Sequence, residues 1–221
     1  MSMRMFAASG LIAALLLGLS GCGAPRPVES IRERADWLYQ RGDYAEAATE
    51  YGEIAERYPG DWRAQHMLGM SLIQTGDLTM ARRSLELAHT HRPNDGEIAD
   101  ALAEVMFRQN DEPQLFAFLR QRAETTQSVH AYRRLAHYAM EMGDPDSARL
   151  ALETAILLDD GQTVEPYLDS AAFAQRVGNM DLAIRRLRQA LWINPNDDRV
   201  RAQLRALGEV PGPSIALPPG R

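Results

Sequence analysis

The chain has 221 residues with a formal net charge of -6; 45% of residues are hydrophobic and 24% charged, an ordinary globular composition that excludes disorder throughout. An acidic balance, with pI near 5.4, excludes a general nucleic-acid binder. All 24 basic residues are arginine, so Schiff-base and phosphate-loop lysine chemistry are excluded, and the single cysteine, Cys22, excludes an intrachain disulfide and a cysteine zinc site.

Residues 1–21 read as an address. Arg4 supplies a positive start, and Phe6–Leu19 is an apolar or small run of 14 residues. That is short of the ~20 residues that span a bilayer and fits a secretory signal. The run ends in Leu19-Ser20-Gly21-Cys22. This resembles the lipobox of bacterial lipoproteins, in which the signal is removed and the cysteine becomes the lipidated first residue. The resemblance implies lipidation, palmitate included, at Cys22, anchorage in the cell envelope and, with Gly23 next, the periplasmic face of the outer membrane. Residues 22–27, with Pro25 and Pro27, are expected to be a tether, because proline disfavours helix.

The rest of the chain repeats. Gly42-Asp43, Gly76-Asp77, Asn110-Asp111, Gly143-Asp144 and Gly178-Asn179 begin 34, 34, 33 and 35 residues apart. Seven residues before each pair stands a small side chain: Ala35, Gly69, Ala103, Ala136 or Ala171. Five after its first member comes Ala47, Ala81, Ala148 or Ala183, with Leu115 in the third unit; nine after comes Tyr51, Leu85, Leu119, Leu152 or Leu187. Twelve after comes Ala88, Ala155 or Ala190, against Ile54 and Arg122 in the first and third units. Such units predict paired helices. Gly permits the left-handed residue that ends the first helix, and Asp or Asn can cap the second. Small residues let the pair approach, and large ones fill the gap to the next unit.

This pattern resembles the tetratricopeptide repeat (TPR), most clearly in Trp62–Asp95 with Leu68-Gly69, Leu72, Ala81, Leu85, Ala88 and Pro93. It implies an all-α, right-handed superhelical solenoid of about five helix-turn-helix units, 28–61, 62–95, 96–128, 129–163 and 164–197, inside a TPR domain spanning 28–207. Residues 197–207 are expected to form a capping helix with Val200, Leu204 and Leu207 on one face. The third unit departs most, and its second helix, about Glu112–Ala123, is expected to be short or displaced. The tail, 208–221, rich in Pro and Gly, is expected to be disordered.

No catalytic residue, cofactor or metal site is assigned. His89 and His91 point apart on a helix end, His130 and His137 stand two turns apart, and no nucleophile elbow or nucleotide loop occurs. The resemblance instead implies a peptide groove lined by first helices. The position three before each turn holds Tyr39, Ile73, Phe107, Met140 and Gln175, with His66, Met70, Arg108, Arg133, His137 and Arg176 as neighbouring lining residues. The three arginines could pair with acidic side chains or a terminal carboxylate. The clamp that holds chaperone C-termini is disfavoured, since Arg32 and Asp36 stand where Lys and Asn are needed. The expectation is a non-enzymatic, membrane-tethered adaptor or scaffold that binds another envelope protein or peptide and no nucleic acid, serving a pilus, secretion channel or outer-membrane complex. A scaffold in a cell-wall enzyme complex and a self-assembling structural lipoprotein remain open.

Overall fold

The computed structural model describes residues 25–219. Cys22, the signal and the first residues of the tether therefore lie outside the described residues. Among the described residues all regular structure is helical, eleven helices in all: α1 (Val28–Arg41), α2 (Tyr44–Arg57), α3 (Trp62–Thr75), α4 (Leu78–His91), α5 (Gly96–Arg108), α6 (Glu112–Thr126), α7 (Val129–Glu141), α8 (Pro145–Asp159), α9 (Glu165–Arg176), α10 (Met180–Ile193) and α11 (Asp198–Ala206). None is long and apolar enough to cross a membrane.

The turns explain the pairing. Gly42, Gly76, Gly143 and Gly178 all have positive φ, and in the third unit Asn110 adopts the same region at φ 55°, which Asn tolerates better than most residues. In four of the five turns the next residue closes the turn by donating back to the preceding helix, as Asp144 does to Ala139 and Asn179 to Ala174, both at 2.8 Å. Asp77, Asp144 and Asn179 then cap the second helices, accepting from Met80, Ser147 and Leu182 respectively. Asp43 and Asp111 make no such cap. Their carboxylates are drawn instead to Arg41, at 3.2 Å, and to Arg82, at 2.9 Å.

Each small residue seven before the turn is buried. The closest approach is at Gly69, where an added Cβ would stand 2.6 Å from Leu85 Cγ. The buried residues at the turn-plus-nine position, Tyr51, Leu85, Leu119, Leu152 and Leu187, fill the interior. One apolar cluster runs continuously from Ile73 in α3 to Phe173 in α9, and a second joins α8, α9, α10 and α11.

Two expectations are corrected. The second helix of the third unit is not short: α6 has 15 residues. It is only loosely joined to α5, because Leu115 replaces the small residue that would bring the two together. Polar contacts supplement the pair. Arg122 of α6 donates to the carbonyls of Pro93 at 2.8 Å and Asp95 at 3.1 Å, while Arg82 of α4 donates to Gln109 and Asp111 at the α5–α6 turn. The tail is also not free, since Ile215 and Ala216 pack on the second apolar cluster.

Candidate functional site

Neighbouring first helices touch one another, α3 with α5, α5 with α7 and α7 with α9, so they line the inner face of the solenoid. Between α7 and α9 this face deepens into a cavity of about 360 Å³. Met140, Leu152, Ala172 and Phe173 supply its apolar surface, and Arg133, His137, Glu141, Asp169 and Arg176 its polar one.

The structure thus brings together four of the expected lining residues, Arg133, His137, Met140 and Arg176. Phe107 lies one unit back, half-buried, its ring tilted against Tyr138 with centroids 5.4 Å apart. Tyr39 lies in the first unit, edge-on to Tyr44 at 5.2 Å. His66 and Met70 are half-buried on α3. Burial pushes the His66 imidazole pKa down, against the upward pull of Asp95 and Glu97, which favours a neutral ring. Ile73 does not line the face. It is only 4% exposed and belongs to the apolar cluster with Leu85, Leu102 and Val105, because the following unit closes over it.

The arginines are not free cations. Arg108 pairs with Glu104 one turn earlier at 2.6 Å, Arg176 of α9 with Glu141 of α7 at 2.6 Å, and Arg133 of α7 with Asp169 of α9. The hydrogen bond from Arg176 holds the Glu141 carboxyl below the usual carboxylate range. Arg133–Asp169 and Arg176–Glu141 cross between the same two helices in opposite directions, bracketing the cavity. A third cross-unit contact lies beneath: Tyr138, 1% exposed, donates to Glu104 at 3.1 Å. Burial, then the Glu104 charge, raises its pKa, so the phenol stays protonated and donating.

Phe173, Asp169 and Glu141 are lining residues that the pattern of large apolar groove positions misses. A signal for the two acids exists in the sequence: each lies 35 or 36 residues from its arginine, one repeat along the chain. Chemically the site offers an apolar floor between two exchangeable ion pairs, suited to an extended segment with an apolar side chain and flanking charges. Among the described residues no group of three or more His, Cys, Asp or Glu could hold a metal ion.

The tetratricopeptide repeat family model matches residues 38–111 and another such model matches residues 129–161. No curated protein matches the sequence significantly. Among solved structures, a thermophilic TPR protein of Thermus thermophilus aligns with TM-score 0.56 and 19% identity, over 82% of this chain and 98% of its own. MamA from Desulfovibrio magneticus aligns with TM-score 0.58 and 16% identity over 77% and 97%. YrrB, described as a TPR protein with an unusual peptide-binding site, aligns with TM-score 0.52 and 15% identity over 81% and 92%. At these identities the likeness establishes the fold. Tetratricopeptide repeats are thus present over residues 38–111 and 129–161, and the fold is that of a tetratricopeptide helical solenoid.

Proposed function

We propose that this chain is a non-enzymatic adaptor, lipid-anchored through Cys22 to the bacterial envelope, on the periplasmic face of the outer membrane, and that it holds an extended segment of another envelope protein on its inner face. The observation that carries the reading is the cavity between α7 and α9, with Met140 and Phe173 as its floor and the Arg133–Asp169 and Arg176–Glu141 pairs on its walls. Ion pairs this exposed are individually weak, ~0–1 kcal/mol. They therefore exchange readily for charges on a bound peptide, and apolar burial on the floor supplies affinity. YrrB, with its peptide-binding site, supports the same use of the fold. A role in assembling a pilus, a secretion channel or another outer-membrane complex is the envelope setting that fits such an adaptor.

The tether supports anchorage close to the bilayer. Arg26 is fastened to α2, its guanidinium on Glu50 at 3.0 Å and on Glu53, and Arg57 donates to the Arg26 carbonyl at 2.7 Å. Three residues separate Arg26 from Cys22, a reach of at most ~14 Å over the four Cα–Cα steps. A lipid at Cys22, gaining ~0.8 kcal/mol for each CH2 group it buries, would hold the first unit against the membrane. Replacing Cys22 by Ser should move the protein from the membrane fraction to the soluble fraction; undiminished membrane association would reject the anchor.

Simultaneous Tyr39→Ala, Phe107→Ala and Met140→Ala substitution tests the inner face. Crosslinking and pull-down from intact cells should recover one envelope protein with the native chain and at least tenfold less with the folded triple variant. Equal recovery would assign binding to another surface.

A further inference from the structure

The segment after α11 folds back along α10. The Leu217 N–H donates to the Arg188 carbonyl at 3.0 Å, and Arg188 Nε donates to the Ile215 carbonyl at 2.6 Å. Ile215 and Ala216 join the cluster that contains Leu187, Leu191, Val200 and Leu204. Pro219 sits on Gly161, where an added Cβ would come within 2.8 Å of the proline ring. Elsewhere in the array each second helix is covered by the first helix of the following unit, and each such pair by further repeats. Beyond α11, among the described residues, residues 209–219 take the place that a following helix takes elsewhere.

We propose that this tail is a releasable strap that closes the C-terminal edge against a second copy of this chain, whose N-terminal unit is the surface that would otherwise stack there. Three observations carry the inference. The strap is light: three hydrogen bonds, from the Glu209 and Leu217 N–H groups and from Arg188, and the half-buried Ile215, Ala216, Leu217 and Pro219 hold it, and no described ion pair secures it. The ends of the solenoid are opposite in charge, with nine acids against five arginines in residues 25–61 and six arginines against four acids in residues 180–209. The N-terminal edge also presents Trp37, 51% exposed, with the Arg41 guanidinium 4.3 Å from its ring centroid. Opposite ends differ, so their contact is head-to-tail and adds copies without closing on itself. Covering one end is the simplest way to keep the chain single. The inference stands on the repeat fold and the tail alone, apart from the anchor and the inner face.

The test places a photo-crosslinking residue at Ala202, exposed on α11, in the full chain in cells. The intact chain should give little adduct with itself. Ending the chain after Gly208 should raise the adduct at multiples of the monomer mass at least tenfold, and Trp37→Glu in that shortened chain should remove it. Ile215→Asp with Leu217→Asp keeps the full length and should act like the truncation, which covers the case in which the shortened chain folds poorly. Added salt should weaken the adduct in lysates, because exposed charges are screened. Equal self-adduct in the intact chain would overturn the proposal. So would none in a folded released variant, or adduct only with a different protein.

Discussion

Leu85→Ala should lower the stability of the array by ~2–5 kcal/mol, the usual loss for emptying a buried leucine site. Leu85 is fully buried and lies directly over Gly69, so closely that a Cβ at Gly69 would stand 2.6 Å from Leu85 Cγ and 2.9 Å from Cδ2. Gly69→Ala alone should therefore also destabilise, by ~1–3 kcal/mol, through overpacking. The two losses should not add. Once Leu85 is shortened, the new methyl group enters vacated space, and Ala is the better helix former by up to ~1 kcal/mol. The double variant should be no less stable than Leu85→Ala. Denaturant unfolding of the four proteins checks this, and simple additivity would contradict the close approach of α3 and α4. Because repeats depend on their neighbours, the loss should be felt beyond the second unit.

Restoring the family pattern at Arg122 should harm the protein. Ala occupies the equivalent position in three other units, at Ala88, Ala155 and Ala190, so consensus reasoning predicts that Arg122→Ala stabilises. The structure predicts a loss of ~1–3 kcal/mol. Arg122 donates to the carbonyls of Pro93, Asn94 and Asp95, and hydrogen bonds from a charged group contribute ~1.5–3 kcal/mol when well made, less where exposed. Those bonds hold the α4–α5 loop to α6, in the unit whose own helices are least tightly joined. Arg122→Lys should recover only part of the loss, since an ammonium lacks the planar fork. Thermal unfolding of Arg122→Ala and Arg122→Lys decides between the two expectations, and a stabilised Arg122→Ala would show that the clasp contributes nothing.

The repeat is legible because its turns and its close contacts each demand a residue type. The left-handed residue at the end of the first helix calls for Gly or Asn, and the crossing beside it calls for Ala or Gly, so both recur at the repeat spacing. The inner face is less legible. Ile73 and Met140 hold the same place in their units, yet Ile73 is buried and Met140 lines the cavity, because exposure there depends on the neighbouring unit. The pairing of Arg133 with Asp169 and of Arg176 with Glu141 depends on units side by side in space and is visible only when the repeats are aligned. The tail was illegible for a different reason. It is held by a few main-chain hydrogen bonds, one arginine and the packing of Ile215 and Ala216, without the periodicity by which helices and strands announce themselves.

The central claim is that binding takes place on the inner face between α7 and α9. A photo-crosslinking residue placed at His137, exposed beside the cavity, should capture the partner in intact cells. The same residue placed at Leu150, 63% exposed on α8 and outside the cavity lining, should not. Capture at His137 with none at Leu150 is the predicted result, and capture at Leu150 with none at His137 would contradict it.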